Sequence, residues 1–182
     1  MDAIWQNAPV ITHSQILARS LKHWTGRELL PARFGTPASG TACSTELPVR
    51  AVPEAGAQSS GESPAELAGK IFHAPFVLVS HGTEADPVLN YGNAAALALW
   101  EMSWAELTRT PSRLTAEAPN REERARLLAA VTARGFIDDY SGVRISKTRR
   151  RFKISRATVW NLLTEAGKPC GQAAMFGEWE FL

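Results

Sequence analysis

The chain has little with which to staple, anchor or charge itself. Its 182 residues include two cysteines, Cys43 and Cys170, too few for a disulfide framework, and neither has a second soft ligand at metal spacing. Core filling or chance is the expected role of both. Long hydrophobic runs are missing as well. Residues 76–79 and 94–100 form the longest, far short of the roughly 20 residues that cross a bilayer, and Asp2 stands where a signal peptide would become apolar. A cytoplasmic protein without a membrane segment is expected. The net charge is only +2, which makes no case for nucleic acid from bulk charge and leaves that case to local clustering. With 45% apolar and 21% charged residues, the composition is that of one ordinary globular domain.

Residues 12–28 read as an amphipathic helix, with Thr12 and Gln15 as a capping box and Ile16, Leu17, Leu21 and Trp24 at helical spacing. Residues 31–64 are mostly Gly, Pro, Ala, Ser and Thr, too poor in aliphatic side chains to offset the entropy of ordering, and read as a flexible insert. Three segments are therefore expected: a helix in 1–30, the insert 31–64, and a domain over 65–182. Within the domain, residues 65–72 read as a short helix, 76–82 as a strand ended by Gly82, Asp86-Pro87 as a turn and 88–91 as a second strand. Asn93 can cap a helix over 94–102, and Ser103 with Glu106 forms the capping box of the next. Asn120 can start a longer helix over 121–134, striped by Leu127, Leu128 and Val131 and stopped by Gly135. Residues 136–145, 151–163 and 169–181 are extended, so the order is α+β.

Several motifs accompany this order: Ser80-His81-Gly82-Thr83, Asp86-Pro87-x-x-Asn90-Tyr91-x-Asn93, Pro111-Ser112-Arg113, Arg121-x-Glu123-Arg124, Gly135-Phe136-Ile137-x-Asp139-Tyr140-x-Gly142-Val143-Arg144 and the Trp160 strand. Together they resemble the MEKHLA family, a PAS-like group found as stand-alone bacterial proteins and at the C-terminus of plant class III homeodomain-leucine zipper regulators. The chain is read as the stand-alone bacterial type. The resemblance implies a five-stranded antiparallel sheet with helices on one face around a pocket, and it carries no assigned biochemical activity. It also invites tests of the usual PAS cofactors. Haem is disfavoured because residues 121–134 hold no axial His, and flavin because neither Cys43 nor Cys170 lies in an Asn-Cys-Arg-Phe-like motif. No cofactor is expected, and no metal, since His81 has only Glu84 and Asp86 for company.

Alternation along 151–163 puts Phe152, Ile154, Arg156, Thr158, Trp160 and Leu162 on one face and Ala157, Val159 and Leu163 on the other. One face should meet the pocket, and the N-terminal helix or a second subunit should cover the other. Arg156 and Thr158 interrupt the apolar row. They read either as an anchor for an acid group of a ligand or as a structural pair with Asp138, Asp139 or Glu178, or else a bulge shifts the parity. His81, Asn90, Tyr140 and Trp160 complete the candidate pocket set.

An enzyme is not expected: there is no Gly-x-Ser-x-Gly, no Gly-rich phosphate loop, and the adjacent acids Asp138 and Asp139 point to opposite faces. The sharpest charge feature is the basic turn Lys147, Arg149, Arg150, Arg151 and Lys153, with no acid inside it. A solvated hairpin turn is the favoured reading, nucleic acid or an anionic surface the alternative. The expected function is a non-catalytic sensory or interaction module for a small ligand or partner protein, homodimeric in one version, with its output encoded elsewhere.

Overall fold

The computed structural model describes residues 3–30, 62–117 and 121–182. Cys43, Asn120 and all but the last three positions of the expected insert lie outside the described residues. The N-terminal helix, α1, covers Ala8–Thr25 and so begins ahead of the expected Thr12 cap. Pro9 in its first turn has its φ preset for a helix, and the Asn7 carbonyl takes the Val10 and Ile11 amides at 2.9 and 3.0 Å. Gly26, left-handed at φ 72°, ends it.

Helix α2 (Pro64–Phe72) starts on Ser63, which exchanges hydrogen bonds with Glu66 in a reciprocal box. Strands β1 (Val77–His81) and β2 (Leu89–Gly92) follow, then α3 (Ala94–Trp100) and α4 (Trp104–Leu107). The cap at their junction does more than start a helix. Asn93 is fully buried; its Oδ1 accepts from Leu78 N at 3.0 Å and Ala96 N at 3.1 Å, and its Nδ2 donates to Phe76 O at 2.7 Å. One side chain thus ties α3 to β1. Helix α5 (Arg121–Arg134) ends at Gly135, whose φ of 93° favours glycine and whose missing Cβ leaves room for the Trp24 ring.

Strands β3 (Phe136–Ile145), β4 (Arg151–Leu163), β5 (Pro169–Phe176) and β6 (Glu178–Phe181) complete an antiparallel sheet of order β2-β1-β5-β4-β3. The expected single strand over 169–181 is divided at Gly177, and β6 keeps the register of β5 on β4, with Thr158 opposite Met175 and Ser155 opposite Glu178.

The two faces have separate cores. On the outer face α1 seals Leu17, Leu21, Leu78, Trp160 and Leu162; on the inner face Val77, Leu99, Trp100, Phe152, Ile154 and Phe176 pack under α3. Each fully buried aliphatic chain stabilises by about 1.5–3 kcal/mol. The expected parity of β4 therefore fails. Arg156 takes left-handed backbone, φ 51°, and Asp139 opposite does the same at φ 60°. The bulge turns the strand over between Ile154 and Ala157, so Phe152 and Ile154 share the inner face with Ala157 and Val159, whereas Trp160 and Leu162 lie under α1.

Candidate functional site

The inner face of β1, β3, β4 and β5 and the underside of α5 enclose a cavity of about 60 Å³. Its apolar wall includes Val79, Leu127, Ile154 and Val159; its polar wall includes His81, Tyr140, Arg124, Arg144 and Gln172. The sheet holds α5 over it by two amides: Asn161 Nδ2 donates to Val131 O at 2.9 Å, and Gln172 Nε2 to Leu128 O at 3.1 Å. Gly171, at φ 150°, lets β5 pass so close to the His81 carbonyl that a Cβ there would collide with it. That contact fixes His81 at the end of β1, beside an open groove of about 370 Å³ running past Gly82, Thr83 and Pro87.

The polar wall is under electrostatic tension. His81 is buried, Nδ1 lies 2.8 Å from the Gly82 carbonyl, and Nε2 has no partner. Burial lowers its pKa; the Gly82 bond opposes this, and the charge of Arg124 adds to it. Burial and the charge of Arg144 bring Arg124 itself down to about 10. Arg144 donates to Val143 O at 2.8 Å and to the Tyr140 hydroxyl at 3.1 Å, and its guanidinium carbon lies 5.3 Å from the Tyr140 ring centre. Trp100 Nε1 is a further buried donor without a partner.

Of the residues the sequence nominated for a pocket, His81 and Tyr140 line this cavity and the others do not. Arg156 points to solvent and pairs with Glu178, because the bulge carries it out of the inner face. Thr158 lies on the outer face, donating to Asp138 Oδ1 at 2.5 Å and accepting from Arg27 at 3.3 Å. Trp160 is buried under α1. Asn90 is exposed and accepts from Ser80 Oγ at 2.6 Å, beside an outer groove shared with His13 and Tyr91. Sequence reasoning missed Arg124 and Arg144. The signal was present for the first: positions 124, 127, 128 and 131 form one helical stripe, with an arginine at its head.

The basic turn finds acids outside itself. Lys147 bonds Glu106 at 2.5 Å and Arg151 bonds Glu117 at 3.1 Å, while the Arg150 guanidinium lies 3.3 Å from the centre of the Phe181 ring. Arg149 and Lys153 have no ion pair among the described residues. A second cluster resembles a hydrolytic set but is wired the other way. His13 Nε2 stands 2.8 Å from Ser80 Oγ, whose single proton goes to Asn90, so His13 is the donor to a serine that is 1% exposed. A nucleophile needs the opposite polarity and an open approach.

The family model of the MEKHLA domain matches residues 55–181. The chain belongs to the MEKHLA domain family. Solved structures share its fold. A PAS domain from Colwellia psychrerythraea superposes with a TM-score of 0.53 at 12% identity, covering 63% of this chain and 92% of its own. An RNA-binding light-oxygen-voltage receptor reaches 0.56 at 18%, covering 71% of this MEKHLA chain, which spans only 36% of that receptor. A light-oxygen-voltage domain studied with a flavin analogue gives 0.50 at 14%, over 64% of this chain and 84% of that one. A search of curated proteins finds no match. The MEKHLA domain here is thus a PAS fold.

The enclosed space is small beside the cavities that hold drug-sized ligands. Such cavities measure several hundred Å³, this one about 60 Å³, and Cys170 packs toward the α1-side cluster rather than lining it. Among the described residues there is no group of three or more His, Cys, Asp or Glu that could hold a metal, and no helix long and apolar enough to cross a membrane.

Proposed function

We propose that this MEKHLA domain is a non-catalytic sensory module that takes a small ligand between α5 and the inner sheet face and signals to a partner protein or a second copy. The observation that carries the reading is the enclosed cavity, apolar on one wall and lined on the other by buried polar atoms without partners, His81 Nε2 and Trp100 Nε1. Such atoms cost about 1–3 kcal/mol each when left unpaired, and a ligand that satisfies them recovers that energy. The N-terminal half of α5 is the part to move, since Asn161 and Gln172 tie the C-terminal half to the sheet. A cytoplasmic, stand-alone bacterial protein without haem or flavin is the setting this reading assumes. Native mass spectrometry of the protein purified from its own host tests it. A bound mass of a small molecule is expected, with two subunits in the homodimeric version, and an empty monomer would sink both.

A second reading rests on Arg149 and Lys153, exposed and without ion pairs among the described residues: the turn would touch nucleic acid or another anionic surface. Salt-dependent retention on RNA or DNA is its expected signature, and no binding at low salt would end it.

A further inference from the structure

Two arginines share the wall of the α5 cavity with no carboxylate bonded to either among the described residues. Arg144 is 7% exposed, and its partners, Val143 O and the Tyr140 hydroxyl and ring, are all neutral. Arg124, half-buried on the same wall, has no hydrogen bond or ion pair among the described residues, and the charge felt most from a neighbour is that of Arg144. A buried guanidinium is normally paired, because its desolvation is otherwise uncompensated. Two side by side add repulsion. Glu84, an acid whose charge reaches His81, sits on the exposed loop after β1, in the groove beyond that ring. The third group points the same way with a different demand. His81 is 8% exposed, and with Nδ1–H given to the Gly82 carbonyl its neutral ring presents a bare Nε2 acceptor.

We propose that the cavity binds a short hydroxycarboxylate, its carboxylate between Arg124 and Arg144 and its hydroxyl donating to His81 Nε2. The proposal rests on the small-ligand reading above and names the ligand class. Guanidinium forks match a carboxylate in plane and charge, and the Tyr140 ring behind Arg144 holds that fork in place. The volume of about 60 Å³ limits the ligand to two or three carbons. Val79, Leu127, Ile154 and Val159 offer an aliphatic group contact but no hydrogen bonds, so a phosphate would leave oxygens unsatisfied. The open groove past Gly82 and Thr83 shares His81, Leu128 and Gln172 with the cavity and provides the way in.

The full chain is titrated with lactate, propionate, lactamide and inorganic phosphate, followed by thermal melting and by saturation-transfer NMR. Lactate is expected to raise Tm. Propionate, which leaves His81 Nε2 bare, should bind about tenfold or more weakly, and lactamide, which lacks the charge, should not bind measurably. Arg124→Met separates ligand binding from structure. A residue kept for stability would lower Tm when replaced. Here the ligand-free variant should keep or raise its Tm, since an unpaired charge has gone, and lose at least tenfold in lactate affinity. Arg144→Gln should lose lactate in the same way. Unchanged lactate binding by Arg124→Met, or a fall in its ligand-free Tm, overturns the assignment. Equal binding of lactamide or phosphate overturns the carboxylate class while leaving the small-ligand reading intact. No binding of any probe to wild type, together with an empty protein from the host, overturns both.

Discussion

The two faces of the sheet solve the same problem in opposite ways. The outer face is closed by α1, and most of its polar groups are matched across that seam: Trp24 Nε1 to Asn161 O at 2.9 Å, the Leu163 amide to Ser20 Oγ at 2.9 Å, His13 to Ser80 at 2.8 Å. Its exceptions, Trp160 Nε1 and Tyr91 Oη, are neutral groups, the first among apolar side chains and the second beside Ser14. The inner face leaves a cavity, two guanidiniums with no acid partner among the described residues and a bare imidazole nitrogen. A neutral orphan costs about 1–3 kcal/mol and can persist as a packing compromise. Charges left unpaired beside empty space cost more, and a fold retains them where something arrives to pair them. On the proposed reading the outer face is the structural seam and the inner face the working one.

The strongest way to break that contrast is to remove the seam. Deleting residues 1–30 uncovers Leu78, Trp160 and Leu162 and should abolish cooperative melting or drive association through the bared face. A truncated chain with unchanged Tm and subunit count would show that α1 is not the cover. Next in size is Asn93→Ala, which strikes the tie between the faces. It removes a helix cap and strands the buried Leu78 amide and Phe76 carbonyl, at a cost of about 2–4 kcal/mol in urea unfolding. A loss under 1 kcal/mol would mean that water replaces the side chain and that the junction is looser than its geometry.

The junction was legible in sequence because caps and turns are local chemistry. Asn93, the Ser103–Glu106 box, Gly135 and the strand spans 136–145 and 151–163 follow from residues a few positions apart. The site was less legible, because it depends on which way a strand faces after a bulge. Nothing local in Ser155-Arg156-Ala157 announces left-handed backbone, and one such residue turns Arg156 from the inner face to the surface, where it makes the structural pair with Glu178 that the sequence offered as one alternative. The ion pairs of the basic turn were hidden for a related reason. Glu106 and Glu117 come from distant segments that only the folded chain brings together.

A smaller effect sharpens the contrast through two histidines, one on each face. Burial lowers the pKa of His13 from 6.5 to about 4 and also lowers that of His81. In both cases the unfolded chain binds the proton more readily. Stability is therefore complete above about pH 6.5 and is lost as pH falls toward 4, with a His13 share of up to about 3 kcal/mol. His13→Gln should remove most of the difference between urea midpoints measured near pH 7 and near pH 4.5. Lactate should not alter the His13 share, because that ring, carried by α1, meets Ser80 and Tyr91 on the outer face, away from the cavity. An identical pH slope in the variant would assign the sensitivity to other groups.

The smallest expected effect lies at the rim of the outer face. Arg27 Nη2 bonds both oxygens of Asp138, at 2.9 and 3.0 Å, while Thr158 donates to the same carboxylate. Burial works against the charge on Asp138, yet the Thr158 and Arg27 bonds outweigh it and hold its pKa below the usual value. The folded carboxylate thus keeps its charge to lower pH than the unfolded one, so its contribution is present above about pH 4 and fades as pH falls through the folded value. Both side chains are nearly half exposed, at 47% and 46%, which screens the pair. Arg27→Ala should therefore cost less than about 1 kcal/mol, and added salt should erase most of it. Arg124→Met, a change of the same charge on the inner face, should act with the opposite sign on the ligand-free protein. Two arginine deletions with opposite effects on Tm would be the plainest measure of the difference between a seam and a site; equal losses from both would make the inner arginines structural after all.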